Sequence, residues 1–157
     1  MIRDAIDFYS EKLILVQGIG KIVPYFRESK NKTKTVDLFK NDNGKIDCVI
    51  LNYDAVGPHA VSDDGYSVKR INLLVSVIKE FEDSDQYGGS TQNDFDVTIE
   101  NIYDAFKEHQ VGTHLGDTSY TILPIDSDIE IVGNDGITEF LGTACHVAQY
   151  EQKILTV

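Results

Sequence analysis

The fold is decided by residues 68–81, which read VKRINLLVSVIKEF. Five large apolar side chains of this segment lie at odd-numbered positions: Ile71, Leu73, Val75, Val77 and Phe81. Alternate side chains of an extended chain point to opposite sides, so this spacing makes one side apolar. The segment therefore predicts a β-strand with one face buried.

The segment 95–106, FDVTIENIYDAF, has a different period. Its large apolar side chains fall at i, i+4, i+7, i+8 and i+11: Phe95, Ile99, Ile102, Tyr103 and Phe106. That spacing forms one stripe of an amphipathic helix, with Asp94 or Thr91 as the expected N-cap. The strand thus leads through an acidic loop into a helix that can pack on the same sheet. No nucleophile, ligand cluster or phosphate loop stands at the junction, which favours a structural protein over an enzyme.

The N-terminal segment predicts another helix. Its apolar stripe consists of Ile2, Ala5, Ile6, Tyr9, Leu13 and Val16. Gly18 and Gly20 follow the stripe and mark the end of the helix. With the β-prone segments described next, we expect an α+β fold: a mostly antiparallel β-sheet with an N-terminal helix and a second helix packed on one face.

Between these elements the sequence alternates β-prone stretches and polar connections. Residues 36–39 and 46–52 are β-prone, and residues 40–45, KNDNGK, contain the Asn-Gly pair of a tight hairpin turn. Clusters of Gly, Pro, Asn, Asp and Ser favour loops. Extended loops are therefore expected at about 21–35, 53–67 and 83–94.

The last third of the chain predicts β structure again. Residues 118–125 and 129–132 are β-prone, and the Gly-Asn-Asp-Gly sequence at 133–136 is a hairpin signal that leads into a long strand at 137–151. One side of this strand is expected to hold Phe140, Ala144, His146, Ala148 and Tyr150, and the other Leu141, Cys145 and Val147. Apolar groups on both sides are typical of a central strand or of one that meets another copy. The apolar tail at 153–157 is expected to pack as well.

Length and composition limit the class of protein. A chain of 157 residues is long enough for one domain with a core, here taken as 1–157, and short for two. No apolar run reaches the roughly 18 residues of a membrane helix, and Asp4, Asp7 and Glu11 stand where a signal peptide would be basic and then apolar. We therefore expect a soluble, cytoplasmic protein in which Cys48 and Cys145 are reduced, buried thiols.

The net charge of −12 is unevenly distributed. Residues 1–45 hold nine Lys or Arg against six Asp or Glu, whereas residues 46–157 hold five against twenty. An acidic body repels DNA phosphate, which argues against a repressor or a nuclease. The basic segment with Arg27, Lys30, Lys32 and Lys34 has two interpretations: a solvated loop, or a patch that docks on an acidic neighbouring subunit.

Few residues could carry chemistry. The four histidines are dispersed: His59, His109, His114 and His146. A zinc site would need further Cys or His ligands at short spacing, and Cys145 and His146 would point to opposite sides of a strand. Ser119 lacks the elbow and oxyanion context of an activated nucleophile. The sequence therefore predicts no catalytic, cofactor or metal site.

The order of these elements resembles that of the tail terminator proteins of tailed bacteriophages, a family of small α+β subunits. The resemblance is carried by the alternating strand at 71–81, the helix at 95–107, and the turn at 133–136 that feeds residues 140–151. It implies a structural virion protein at the tail-head junction, assembled in the host cytoplasm. Family members form hexameric rings that cap the tail tube, stop its growth and bind the head connector or neck protein.

The resemblance also implies a bore through which DNA passes without tight binding. Six copies of a subunit with a net charge of −12 would carry about −72, which repels phosphate. The candidate lumen-facing or tube-facing residues are Glu82, Asp83, Asp85, Asp94 and Asp96. Two alternatives remain open: another neck subunit, such as a tail completion or connector protein, and an acidic DNA mimic that inhibits a host enzyme.

Overall fold

The computed structural model describes residues 2–24, 36–61, 67–83, 88–114, 116 and 118–156. These ranges contain two long helices, α1 (Ile2–Leu13) and α2 (Ser90–Ala105). The strands are β1 (Lys21–Pro24), β2 (Asp47–Val61), β3 (Ser67–Glu80), β4 (Gln110–Thr113), β5 (Ser119–Ile122), β6 (Glu130–Phe140) and β7 (Thr143–Thr156). The predicted α+β class is confirmed.

One mostly antiparallel sheet contains all seven described strands, and β7 lies at its centre. The strand order is β1-β2-β3-β7-β5-β4, with β6 also paired to β7 and with β1 parallel to β2. Along one edge, β7 pairs with β3. The paired region extends from Lys69 opposite Thr156 to Glu80 opposite Cys145. The other edge of β7 is shared, because β5 pairs with the C-terminal part and β6 with the N-terminal part. Of the strand predicted at 137–151, residues 143–151 lie in the central strand β7, which agrees with one of the two interpretations, whereas residues 137–140 belong to β6. Ile154 in the apolar tail is buried.

The main core lies between the helices and one face of the sheet. Its members on the helices include Ala5, Ile6, Phe8, Tyr9, Leu13, Phe95, Ile102 and Phe106. Its members on the three long strands are Val49, Leu51, Ile71, Leu73, Val75, Val77, Ala148, Tyr150 and Ile154. Two amphipathic helices cover the apolar side of the same sheet, which is the arrangement that the strand and helix periods predicted.

A buried polar network ties α1 to β7 inside this core. The Tyr9 and Tyr150 hydroxyl oxygens are 2.7 Å apart, and the Tyr9 hydroxyl donates to Gln152 Oε1 over 3.2 Å. Gln152 Nε2 donates to the Leu123 carbonyl over 2.6 Å. Burial raises the pKa of both tyrosines, so that the hydroxyls stay protonated and keep their hydrogen bonds.

A second, smaller core lies on the opposite face of the sheet. It contains Phe39, Ile46, Cys48, Ile50, Ile78, Cys145 and Val147. Both cysteines are free and buried, and burial raises the pKa of each thiol to about 12. The expectation of two reduced, buried thiols is confirmed, and the two residues belong to one cluster.

The predicted strand at 68–81 and the predicted helix at 95–106 are both present, with two corrections in α2. Residues 68–81 become β3, and residues 95–106 lie within or directly after α2. Tyr103 is 51% exposed, so it lies at the margin of the stripe and not in the core. The helix begins at Ser90, so the predicted loop at 83–94 is wrong at 90–94, and residues 84–87 of that loop lie outside the described residues. The N-cap is Gly89, which makes no side-chain capping hydrogen bond, so the predicted cap at Asp94 or Thr91 is wrong.

The predicted loop at 53–67 is wrong at 53–61 and at 67, and its residues 62–66 lie outside the described residues. β2 continues through Gly57 and Pro58 to Val61, paired with β3 throughout. Two register shifts, at Tyr53/Ala55 and at Pro58/Ala60, absorb the residues that do not fit a regular ladder. The turn-forming residues therefore mark bulges on an outer strand, where proline is tolerated.

The expected hairpin at 36–52 is only partly present. Residues 36 and 37 are helical and Phe39 N donates to the Val36 carbonyl over 3.0 Å, so the predicted strand at 36–39 is wrong. The turn lies where expected, because the Asn41 side chain accepts hydrogen bonds from the backbone of Asn43 and Lys45. Lys40 and Ile46 form an isolated antiparallel pair. The predicted loop at 21–35 begins instead with β1, and its remainder lies outside the described residues.

The hairpin turn predicted at 133–136 is also misplaced. On β7, Val147 pairs with Val132 and the adjacent His146 pairs with Ile137, so residues 133–136 bulge from a continuous β6. The chain reverses at Leu141 and Gly142, which have φ values of +51° and +85° and suit a tight turn. Because the turn is shifted, Phe140 packs against the second core, whereas His146 stacks on Phe95 on the opposite face of the sheet. The prediction that Phe140 and His146 share a face is therefore wrong.

Candidate functional site

Among the described residues, the outer edge of β2 is covered by another strand only at its start. β1 pairs with β2 at Cys48–Leu51, and from Asn52 onward no described strand lies on that side. The other side of β2 pairs with β3 along its whole length. An uncovered edge presents backbone N–H and C=O groups that can pair with a further chain. The outer half of the β2–β3 hairpin, residues 52–61 and 67–73, is named the hairpin arm below.

The hairpin arm exposes apolar side chains next to the main core. Tyr53 and Val56 are each 43% exposed, although their cross-strand partners Leu73 and Ile71 are fully buried. Residues directly opposite in a sheet share a face, so Tyr53 and Val56 lie on the helix side of the sheet. The apolar face of the sheet thus extends beyond the part that the helices cover.

Arg70 stiffens the arm. Its Nε donates to Asn72 Oδ1 over 3.0 Å, and its Nη1 donates to the Pro58 carbonyl over 3.4 Å. Bulges and prolines on an edge strand limit indiscriminate pairing, because they interrupt the regular ladder. A chain that pairs with this edge must match the interrupted ladder, which makes the edge selective.

The predicted acidic loop residues are brought together only in part. Glu82 and Asp94 line a cleft of about 260 Å³ between the start of α2 and the end of β3. Asp96 accepts a hydrogen bond from Gln92 on the outside of α2, and Asp83 is exposed. Asp85 lies outside the described residues, as do Arg27, Lys30, Lys32 and Lys34 of the predicted docking segment.

Two lysines offset the carboxylates in this cleft. Lys45 Nζ lies 3.2 Å from Glu80 Oε2 and 4.0 Å from Glu82 Oε1, and its hydrogen bond with Glu80 raises the pKa of the ammonium. Lys79 Nζ lies 2.9 Å from Asp47 Oδ1 and donates to the Gly18 carbonyl over 2.8 Å. The end of β3 is therefore an ion-paired region, and it is a weaker source of negative potential than the sequence alone indicates.

A stronger acidic surface surrounds residues 126–130. Two adjoining grooves of about 500 and 520 Å³ share Ser127 and Asp128. The carboxylates that line them are Glu100, Asp104, Asp126, Asp128, Glu130 and Glu151. Neither groove has a Lys or Arg among its described lining residues, and nearby Lys153 pairs with Asp126 over 2.8 Å. This set is named the acidic surface below.

The acidic surface could not be predicted from the sequence, because its carboxylates come from three separate parts of the chain. The segment 126–130, DSDIE, is visibly acidic in the sequence. What the sequence does not show is that Glu100 and Asp104 on α2 and Glu151 on β7 lie beside it. The sequence indicates the hairpin arm only weakly, because Tyr53 and Val56 favour a strand but are followed by Gly57 and Pro58, which favour a turn.

Comparison with known proteins adds no relative to this description. Neither protein-family models nor curated protein sequences match the chain. Within the described ranges, no helix combines the length and the apolar character needed to cross a bilayer.

Proposed function

We propose that the protein is a structural subunit of a tailed-phage neck, specifically a tail terminator that forms a ring, caps the tail tube and joins it to the head connector. The single observation that carries the proposal is the hairpin arm, where an edge of β2 that no described strand covers lies beside exposed apolar side chains. The resemblance in element order, now with a confirmed α+β class, supports the same assignment.

The arm is suited to contact between subunits. β3 of the arm is paired on both sides, with β2 and with β7, whereas β2 of the arm has a described partner on its β3 side only. The free side of such a strand can pair with a further chain. Tyr53 and Val56 offer apolar area, and the edge from Asn52 to Pro58 offers backbone hydrogen bonds. A contact between this arm and a different surface of the next copy is heterologous, and such contacts close into rings when the rotation allows.

The acidic surface suits a ring through which DNA passes. Six carboxylates in adjoining grooves repel phosphate, so DNA would not adhere to a bore that they line. The acidic surface replaces the end of β3 as the preferred lumen-facing region, because Lys45 and Lys79 neutralise part of the charge there. The partners in this proposal are further copies, the tail tube protein and a head connector or neck protein.

The chemistry of the described residues suits a role without catalysis. Both thiols are buried, and their raised pKa values keep them protonated at neutral pH, so neither is an activated nucleophile. The polar network of Tyr9, Tyr150 and Gln152 is enclosed in the core, where it positions elements and does not face a substrate.

The proposal is tested by light scattering of the purified protein at several concentrations, with and without tail tubes, followed by negative-stain images. We expect a ring of about six copies, or a monomer that becomes a ring on tubes. Val56→Lys should prevent ring formation, while Val97→Lys, at a 42% exposed position on α2, serves as the matched control. A monomer that ignores tubes and captures a DNA-processing enzyme would overturn the proposal in favour of a DNA mimic.

A further inference from the structure

Three side chains that are distant in sequence meet beside the first two turns of α1. One carboxylate oxygen from each of Asp4 and Asp7 and one ring nitrogen of His114 all lie within 4.8 Å of one another. Ligand atoms around a tetrahedral zinc ion are about 3.4 Å apart, as metal–ligand distances of about 2.1 Å require. The three groups therefore lie near one another on the scale of a ligand set, and an ion that binds all three would draw them closer together.

The backbone accounts for this meeting. Asp4, Asp7 and Glu11 follow one another at i, i+3 and i+7, which places them along one side of α1. β4 comes close to the same helix, because a Cβ on Gly112 would lie only 2.9 Å from Phe8 Cε2. Side chains two residues apart on an extended chain point the same way, so His114 is directed to the helix as Gly112 is.

His114 is held as metal-binding histidines are commonly held. Its side chain is only 10% exposed, and its Nδ1 lies 2.9 Å from Glu11 Oε1. A carboxylate on one ring nitrogen fixes the ring and increases the basicity of the other nitrogen, which is then the metal ligand.

We infer that Asp4, Asp7 and His114 bind a divalent transition-metal ion, foremost Zn²⁺, with water completing the coordination and with Glu11 as a positioning residue. Imidazole with two carboxylates suits Zn²⁺ and its neighbours, whereas Ca²⁺ and Mg²⁺ prefer sets of oxygen ligands only. The site is independent of the buried thiols, since Cys48 and Cys145 belong to the second core on the other face of the sheet.

The ion would join two parts of the fold that the contact between His114 and Glu11 already brings together. Asp4 and Asp7 belong to the N-terminal half of α1, and His114 belongs to the connection between β4 and β5. An ion bound only by the folded chain stabilises it in proportion to its occupancy. The site therefore makes the anchoring of α1 on β4 dependent on metal, which is a property separate from the assembly proposed above.

The test is calorimetric titration of ZnCl₂ into chelator-treated, dialysed protein, together with thermal unfolding. We expect one saturable site per chain and a higher Tm with Zn²⁺. His114→Gln and Asp7→Asn should abolish binding, and Glu11→Gln should weaken it about 10- to 100-fold, the usual effect of losing such a positioning group. His109→Gln and Asp96→Asn, at exposed positions on or just after α2, are the matched controls and should bind normally.

Two results would overturn the inference: the absence of saturable Zn²⁺ binding, or binding that His114→Gln leaves unchanged. If His114→Gln fails to fold by circular dichroism, Asp4→Asn decides instead, and normal Zn²⁺ affinity in that variant counts against the site. The Co²⁺ derivative provides a further check, because a thiolate charge-transfer band would assign the metal to Cys48 or Cys145. A visible ligand-field spectrum without the thiolate charge-transfer band supports oxygen and nitrogen ligands.

Discussion

The two halves of the β2–β3 hairpin have the same backbone pairing and opposite environments. In the inner half, Val49, Leu51, Val75 and Val77 are at most 1% exposed beneath the helices. In the outer half the ladder continues, but Tyr53 and Val56 are 43% exposed on the same face. The length of a strand therefore follows from the strand it pairs with, whereas the burial of its side chains depends on the elements that cover that face of the sheet. In the outer half, exposed apolar side chains thus coincide with a strand edge that no described strand covers, which is the feature on which the proposed contact with another chain rests.

Truncation in the inner half should have the largest effect on stability. Leu51 is fully buried, and Leu51→Ala should lower the free energy of unfolding by about 2–5 kcal/mol through lost apolar contact and a cavity. Urea denaturation of the unassembled protein measures this. A loss below about 0.5 kcal/mol would mean that Leu51 is not in a packed core.

Removal of one hydroxyl from the buried network should have the next largest effect. Tyr9→Phe leaves the Tyr150 hydroxyl and Gln152 Oε1 short of a hydrogen-bond partner, which should cost about 1–3 kcal/mol. Ser10→Ala, which removes only a local bond to the Ile6 carbonyl in α1, is the control. Equal losses in both variants would show that the network does not tie α1 to β7.

Alkaline pH should destabilise the second core. The thiol pKa values rise from 9.0 to about 12 on folding, so the folded state binds more protons than the unfolded state between these values. The stabilisation is complete below pH 9 and is lost as the pH rises toward 12. Between pH 9 and 10 each thiol should contribute a loss of about 1 kcal/mol.

The measurement is the free energy of unfolding from urea titrations at pH 9 and pH 10. Cys48→Ala should remove about half of the thiol contribution to the pH dependence, whatever it does to stability at neutral pH. A pH dependence that is the same in Cys48→Ala and in the parent protein would contradict the assignment of both thiols to a buried cluster.

Truncation in the outer half should have the smallest effect on the unassembled chain. Val56→Ala removes a side chain that is 43% exposed, so the free energy of unfolding should change by less than about 0.5 kcal/mol. The same variant should weaken assembly, because it removes apolar area from the arm. A loss as large as that of Leu51→Ala would show that the arm is part of the core of a single chain.

The periodic segments could be predicted from sequence because their pattern and their burial agree. Residues 68–81 alternate at period two and β3 is central in the sheet, while the stripe of Phe95, Ile102 and Phe106 lies on the core side of α2. In both places local pattern and tertiary environment favour the same structure. The fold class followed from these segments.

Two of the errors arose where turn-forming residues occur inside strands. Gly57-Pro58 and the Gly-Asn-Asp-Gly sequence at 133–136 have the composition of loops, yet pairing with β3 and β7 carries the ladder past them as bulges. The same limit applies to the sites. The meeting of Asp4 and Asp7 with His114 depends on the approach of β4 to α1, and the acidic surface depends on three elements meeting. Neither is a pattern along the sequence.

Amide hydrogen exchange shows whether the β2 edge that no described strand covers binds another chain. Exchange would be compared between the unassembled protein and the ring formed alone or on tail tubes. We expect new protection within residues 52–57, at the amides that point away from β3, with little change at Cys48–Leu51, which β1 already covers. Equal exchange at 52–57 in both states, or a protein that forms no assembly under either condition, would contradict the proposal.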